Sequence, residues 1–213
     1  MTTLPTLARP AVIVIDMHRG SLEPPGTVFV PDGAAIIPAV AGLLDAARSV
    51  DVPVIHIVHQ IHPDGSDANS PFWREAENVG SLYPNVREQI VGSRWTDIAD
   101  GLTADSDYVL PKKRYGAFSG NGLDFLLTNL GTETLVLAGV ETEICILATA
   151  YHGFNADYRV VVASDGTAGL ERELADASLR IITREVGWVA TCAEIAAALE
   201  TEGADGRQPE RVG

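Results

Sequence analysis

The sequence predicts an α/β fold, a three-layer α/β/α sandwich around a central, mostly parallel sheet of six strands. Two observations predict it: six short apolar runs rich in valine and isoleucine occur along the chain, and helical patterns separate them. Alternation of strand and helix is typical of βαβ units with right-handed crossovers. The length of 213 residues, 46% of them hydrophobic, suits one domain with a substantial core.

The six apolar runs predict the strands. Short runs dominated by β-branched residues are typical of strands that a parallel sheet buries on both faces. The predicted strands are Ala11–Ile15, Val54–Val58, Tyr108–Leu110, Thr134–Ala138, Arg159–Ala163 and a shorter sixth, Trp188–Ala190.

Five helices are predicted between and after these strands. They are Ala34–Ser49, Leu123–Asn129, Ile144–Phe154, Leu170–Arg184 and Ala193–Leu199. Four of them follow a residue whose side chain can accept a hydrogen bond from the first helical turn, namely Asp32, Asn121, Thr142 and Thr191. Gly131 is predicted to end the second helix.

Residues 1–200 are expected to form the single domain, with residues 201–213 as a disordered tail. The connection from Ile61 to Gly101 is long, polar and irregular, and it contains Trp73 and Trp95. Connections of this length are often lids or binding loops, so this segment is expected to influence substrate choice.

Composition excludes several classes of partner. The net charge of −14 makes the chain a poor partner for nucleic acid or an anionic membrane, because both would repel it. Neither a secretory signal pattern nor an apolar stretch of about 18 residues is present. Two cysteines do not make a disulfide framework, so a cytoplasmic location is expected.

Three reactive residues are predicted to meet at one edge of the sheet. Ligands bind beyond the carboxyl ends of parallel strands. Asp16 follows the first strand, Lys112 and Lys113 follow the third, and Cys145 lies just past the fourth at the start of a helix. A first-turn thiol beside an ammonium favours the thiolate, and backbone N–H groups there could bind an oxyanion. The alternative is a packed, inert helix cysteine.

Three sequence runs resemble the isochorismatase-like cysteine hydrolases. They are AVIVIDMHRG (11–20), LPKKRYGAF (110–118) and LVLAGVETEICILAT (135–149), and they occur in the family's order. That family includes nicotinamidases, N-carbamoylsarcosine amidase, ureidoacrylate and biuret hydrolases, and isochorismatases. The resemblance spans about residues 10–190 and implies the isochorismatase-like hydrolase fold, with Asp16, Lys112 and Cys145 as catalytic residues.

The resemblance also implies finer features of the site. The family's lysine lies three residues before the aromatic of the second run, which selects Lys112; Lys113 then points away and is solvated or paired with an acid. A non-proline cis peptide is implied in the segment 139–141. The backbone N–H groups of Glu141 and Cys145 would form the oxyanion hole.

One family feature is altered. Nicotinamidases carry a metal site of the form D-x-H-P-x-x-x-H, whereas Gln60 and Ser66 replace two of its ligands here and leave His62. One imidazole with an amide and a hydroxyl is a poor divalent-metal site, so no metal and no cofactor are predicted. His62 and His59 are candidates for substrate contact, with exposed loop histidines as the alternative.

Four other residues are candidates for substrate contact. They are His18, Trp73, Arg114 and Phe118. His18 could instead make a structural hydrogen bond. Arg114 could bind a substrate carboxylate in bidentate fashion, and the alternative is an ordinary surface arginine. The two aromatic residues could instead be ordinary core residues.

The predicted function is cysteine-dependent hydrolysis of a C–N bond in a small amide or ureide, through a thioester. A retained thiol points to acyl transfer, and the altered metal motif points away from nicotinamide towards carbamoyl or ureido acids, biuret-like or maleamate-like compounds. The alternatives are a vinyl ether hydrolase of the isochorismatase type, which needs no thiol, and a non-catalytic binding module. A homodimer or homotetramer is expected.

Overall fold

The structure, a computed structural model, describes residues 4–26, 28–64, 66–67 and 89–204. Its sheet has six strands, all parallel, in the order β3-β2-β1-β4-β5-β6. The strands are β1 (Pro10–Ile15), β2 (Val54–His59), β3 (Tyr108–Lys112), β4 (Thr134–Val140), β5 (Arg159–Ala168) and β6 (Trp188–Ala190). The predicted fold class is therefore confirmed.

Helices cover both faces of the sheet. They are α1 (Arg19–Leu22), α2 (Ile37–Ser49), α3 (Leu123–Leu130), α4 (Leu147–Asn155), α5 (Arg172–Ile181) and α6 (Cys192–Ala204). Side chains alternate along each strand, so Val12 and Val14 pack in the core beneath α2 and α6. Ile13 and Ile15 pack in the opposite core, which also contains residues of α3 and α4. This arrangement gives three layers.

The strand order places a topological switch point between β1 and β4, because the chain moves outward in opposite directions from these two central strands. Ligands of open parallel sheets bind beyond the carboxyl ends of the strands at such a point. Both central strands are buried, and their register pairs Ile15 with Gly139 at this edge.

Two predicted helix caps are wrong. Asp32 makes no capping hydrogen bond and precedes a 3₁₀ turn, Gly33–Ile36, before α2 begins. Thr142 belongs to a π-helical turn, Thr142–Ile146, and its hydroxyl has no hydrogen-bond partner among the described residues. In both places a 3₁₀ or π-helical turn separates the predicted cap residue from the α-helix. The first N–H groups of the α-helix are therefore too far along the chain for that side chain to accept their hydrogen bonds.

The other caps agree with the sequence. Thr191 and Glu194 form a reciprocal capping box at the start of α6: the Thr191 N–H donates to Glu194 Oε2 at 2.8 Å, and the Glu194 N–H donates to Thr191 Oγ1 at 3.2 Å. The side chain of Asn121 accepts from Leu123 N–H at 3.2 Å. Gly131 ends α3 with φ 65°, in the left-handed region that glycine adopts without strain.

Helix α6 continues to Ala204, five residues beyond the predicted helix end at Leu199. Residues 205–213 of the predicted tail lie outside the described residues, and so does Trp73 in the long connection. Within the described part of the chain, no helix is both long and apolar enough to cross a membrane.

A buried ionic network fastens α2 to the sheet edge. Asp107, whose side chain is 2% exposed, lies just before β3 and accepts hydrogen bonds from Arg48 of α2 at 2.6 Å and from His56 of β2 at 3.1 Å. Burial raises the pKa of this carboxyl, but the hydrogen bonds from Arg48, the Ala104 backbone and His56 hold the pKa below its ordinary value. The network lies away from the reactive edge and serves the fold.

Candidate active site

Asp16, Lys112 and Cys145 meet at the carboxyl edge of the sheet, and we name them the Asp–Lys–Cys cluster. Asp16 is the residue after β1 and has φ 55°, a left-handed conformation that aspartate tolerates better than most residues. Lys112 is the last residue of β3. Cys145 lies in the π-helical turn after β4. Three separate strands thus deliver the three groups.

The ammonium of Lys112 holds the cluster together. Its Nζ lies 2.7 Å from Asp16 Oδ2 and 3.2 Å from Cys145 Sγ, and it also donates to the Arg114 carbonyl at 3.1 Å. An ammonium has three N–H donors, so these three acceptors satisfy all of them. Lys112 is 1% exposed, and a buried ammonium needs such compensation.

Asp16 is held as a carboxylate. Burial alone would raise its pKa, but Lys112, with smaller effects from His18 and His59, outweighs burial and keeps the pKa below its ordinary value. Its second oxygen, Oδ1, accepts the backbone N–H of His59 at 2.8 Å. The side chain is therefore charged, oriented at both oxygens, and available as a base.

The pKa of the Cys145 thiol lies above its ordinary value. Burial raises its pKa, and the nearby carboxylates of Asp16 and Glu141 oppose the charge further, while Lys112 lowers the pKa by less than these raise it. The residue is 6% exposed, and desolvation raises the pKa of the thiol by more than the Lys112 ammonium lowers it. Nucleophilic attack from this site requires a base.

Close approach of β1 and β4 shapes the turn that carries Cys145. Gly139 has φ 116°, and a Cβ added there would lie 2.1 Å from the Ile15 carbonyl oxygen, so only glycine fits. The Val140–Glu141 peptide bond is cis, which confirms the predicted cis peptide in this segment. The Glu141 carbonyl then accepts the N–H groups of Ile144 and Ile146 and closes the turn.

Thr149 is a site-supporting residue that the sequence analysis did not identify. Its hydroxyl donates to the Cys145 carbonyl at 2.7 Å and accepts Ala117 N–H at 3.0 Å. It thereby ties the loop after β3 to the turn that carries the thiol. Its position in α4, four residues after the cysteine, is the signal that could have found it, because threonine often bonds the carbonyl one turn earlier.

The structure separates the two adjacent lysines as predicted. Lys113 points to the other side, donates to the Gln60 carbonyl at 2.7 Å and pairs with Asp67 at 2.7 Å. Arg114 contributes its backbone carbonyl to Lys112, and its exposed guanidinium donates to the Lys113 carbonyl at 2.8 Å. Contact between Arg114 and a substrate carboxylate stays a prediction.

His18 is fully buried, with 0% exposure, and its Nε2 lies 3.4 Å from Ser21 Oγ. Burial lowers its pKa, so the ring is neutral. His18 is thus a buried, neutral ring beside a hydroxyl group, and its contact with a substrate stays a prediction.

His62 is an exposed loop histidine, which was the alternative to substrate contact. Its side chain is 60% exposed and lies 2.7 Å from Asp64, and its backbone N–H donates to Asp67. Among the residues that the structure describes, no cluster of three or more histidine, cysteine or acidic side chains is arranged to hold a metal ion.

Phe118 packs in the same core as Cys145 and is 8% exposed. Its ring stacks on His152 with centroids 4.3 Å apart and lies 6.1 Å from the ring of Tyr158. This packing fits the core role that was the alternative for the aromatic candidates. It also fixes the loop between Lys112 and α3.

The fold, together with the comparisons that follow, defines a hydrolase built on a parallel α/β sandwich. The chain belongs to the isochorismatase family, because residues 10–194 match the isochorismatase domain model. The ureidoacrylate amidohydrolase RutB of Methylorubrum extorquens is 31% identical over 207 residues, covering 90% of this chain and 83% of that protein.

Solved structures agree with this family. A cysteine hydrolase from Pseudomonas syringae pv. phaseolicola superimposes with a TM-score of 0.84 at 29% identity, covering 95% of this chain and 97% of that one. The N-carbamoylsarcosine amidase of Thermoplasma acidophilum gives a TM-score of 0.70 at 25% identity, covering 86% and 96% of the two chains. These relatives support an amidohydrolase, an enzyme that acts on carbon–nitrogen bonds.

Proposed function

We propose that this protein is a cysteine-dependent amidohydrolase that cleaves a C–N bond of a small amide or ureide through a thioester on Cys145. The observation that supports it best is the single ammonium of Lys112 in hydrogen-bond distance of both a carboxylate and a thiol. Asp16, Lys112 and Cys145 are proposed as the catalytic residues.

The first half-reaction forms the thioester. Asp16 accepts the proton of the Cys145 thiol as sulfur attacks the carbonyl carbon, and Lys112 stabilises the sulfur while its charge develops. The tetrahedral intermediate carries an oxyanion, for which the backbone N–H groups of Glu141 and Cys145 are the proposed donors. The C–N bond then breaks, and Asp16 passes the proton to the leaving nitrogen as ammonia or amine departs.

The second half-reaction restores the enzyme. Asp16, again a carboxylate, takes a proton from water, and the resulting nucleophile attacks the thioester carbonyl. The C–S bond breaks, the acid product leaves, and the proton held by Asp16 returns to Cys145. A protonated resting thiol and a charged Asp16, as the pKa shifts describe them, are the starting state of this cycle.

The substrate class is proposed from the sequence and the relatives together. A relative named for ureidoacrylate and another named for N-carbamoylsarcosine act on ureido and carbamoyl compounds. Gln60 stands where nicotinamidases carry an acidic metal ligand, which disfavours nicotinamide. We therefore place carbamoyl and ureido acids first, followed by biuret-like and maleamate-like compounds.

The test is ammonia release from a panel of such amides and ureides, measured with the native protein and with Cys145→Ala. Cys192→Ala is the matched control, because Cys192 is also buried but lies at the start of α6, where its N–H bonds Asp165. The proposal expects release by the native and control proteins only. Release by Cys145→Ala at the native rate would overturn it.

Three further expectations accompany the proposal. A homodimer or homotetramer is expected, and small-angle scattering of the purified protein would test it by giving the particle mass. A cytoplasmic location also stays a prediction. So does the expectation that the protein binds small molecules but no metal, cofactor or nucleic acid. Metal analysis of the purified protein would test the expected absence of a metal.

A further inference from the structure

A fourth polar side chain, His59, lies beside the Asp–Lys–Cys cluster. It is the last residue of β2 and pairs with Lys112 in the sheet register, and its backbone N–H donates to Asp16 Oδ1 at 2.8 Å. Because side chains alternate along a strand, His59 lies on the same face as Ile57, which packs in the core that contains Cys145. Its imidazole is thus on the thiol side of the sheet.

The imidazole has one satisfied and one unsatisfied nitrogen. Nδ1 is hydrogen-bonded to Gln89 Oε1, an acceptor, so Nδ1 carries the proton and Nε2 carries a lone pair. Nε2 is buried and has no hydrogen-bond partner among the described residues. The residue as a whole is only 7% exposed. Buried polar atoms are rarely left without a partner, so this nitrogen is open to a hydrogen bond from a ligand at the edge of the site.

The ring is neutral across the physiological range. Burial, helped by the ammonium of Lys112 and the ring of His18, lowers its pKa to about 4, although Asp16 and the hydrogen bond to Gln89 act in the opposite direction. These are the charged and titratable groups that face it. Nε2 therefore stays an acceptor at pH 7 and cannot become a donor there.

We propose, resting on the proposed function, that His59 Nε2 accepts a hydrogen bond from an N–H of the scissile amide or ureide, and that Gln89 is a positioning residue that fixes the tautomer. An ester or vinyl ether has an oxygen lone pair at the corresponding position, and two acceptors repel each other. His59 would therefore select carbon–nitrogen over carbon–oxygen substrates.

The first test needs no turnover. In ¹⁵N-histidine NMR of the native protein at pH 7, we expect the His59 ring to show a protonated Nδ1 and an unprotonated Nε2, with the resonance assigned by its loss in His59→Gln. A protonated Nε2 would overturn the proposal, because the nitrogen would then donate.

The second test compares two substitutions that retain different halves of the ring. The amide of glutamine reaches about as far as Nε2, whereas the amide of asparagine reaches only as far as Nδ1. On the amide of the panel that releases ammonia fastest, we expect kcat/KM to fall about tenfold in His59→Asn and by less than about threefold in His59→Gln. A purely structural role through Gln89 predicts the reverse order.

The outcomes separate the two proposals. Equal rates in both variants, or the reverse order, would overturn the assignment of His59 and leave the amidohydrolase standing. Absence of ammonia from every amide with the native protein would overturn both. Thermal melting checks that each variant folds, and if His59→Asn does not, the tautomer measurement decides alone.

Discussion

Replacing Lys112 by methionine is the perturbation whose cost can be worked from the structure. Methionine fills most of the side-chain volume but leaves the buried Asp16 carboxylate without its ammonium at 2.7 Å. Removing one partner of a buried ion pair costs about 3–5 kcal/mol, because the other charge stays desolvated. For a domain of this size that corresponds to a fall in melting temperature of about 10 °C.

The pH dependence of the variant identifies the cause. Without the ammonium, burial raises the pKa of Asp16 above its unfolded value, so the folded variant binds a proton more readily than the unfolded chain does. Its stability deficit is therefore full at pH 7 and shrinks as the pH falls through that raised pKa. Urea unfolding of native and Lys112→Met proteins at pH 7 and pH 5 measures both effects.

The adjacent lysine provides the matched control. Lys113 pairs with Asp67 at 2.7 Å, but its side chain is 28% exposed, and partly exposed pairs contribute about 0–1 kcal/mol. Lys113→Met should therefore lose less than about 1 kcal/mol. Equal losses in the two variants, or a deficit in Lys112→Met that does not change with pH, would refute the reasoning.

Three further predictions concern the stability of the folded protein. Gly139→Ala should lower the free energy of unfolding by at least about 3 kcal/mol, measured with urea, because the added Cβ would lie 2.1 Å from a carbonyl oxygen. The control Gly42→Ala, with no atom within 4 Å of its added Cβ, should be slightly stabilising. Equal effects of the two substitutions would contradict this prediction. Because the pKa of His59 falls to about 4, the unfolded chain binds a proton near pH 6.5 that the folded protein excludes. Stability should therefore fall by about 2 kcal/mol more in the native protein than in His59→Gln between pH 7 and pH 5, and parallel curves would argue against it. Asp107→Asn should cost about 2–3 kcal/mol through its buried ion pairs, against no measurable change for the exposed Asp105→Asn.

The sequence predicted the sheet because its signal is local. Buried parallel strands consist of short β-branched runs, and the predicted starts of β2 to β6 agree with the structure, while β1 begins one residue earlier. Strand ends were less predictable: β5 continues five residues past its predicted end at Ala163, after a register shift against β4 between Leu137 and Gly139. A register shift depends on how two strands pair, so the sequence of one strand does not predict it.

The positions of the Asp–Lys–Cys cluster could be predicted, since strand ends place residues at a shared edge. The charge state of Cys145 could not, because it depends on how deeply the surrounding chain buries the thiol. Likewise, the hydrogen bond between His59 and Gln89 joins residues 30 positions apart, and neither local sequence contains a pattern that predicts it. Packing decides both.

The central claim, a thioester on Cys145, is tested most directly by partitioning with hydroxylamine. Hydroxylamine competes with water for a thioester and converts its acyl group into a hydroxamate. Two substrates with the same acyl group, one a primary amide and one an N-methylamide, should give the same ratio of hydroxamate to acid, because both pass through the same acyl-enzyme. A ratio that changes with the leaving group would contradict a common thioester and the mechanism built on Cys145.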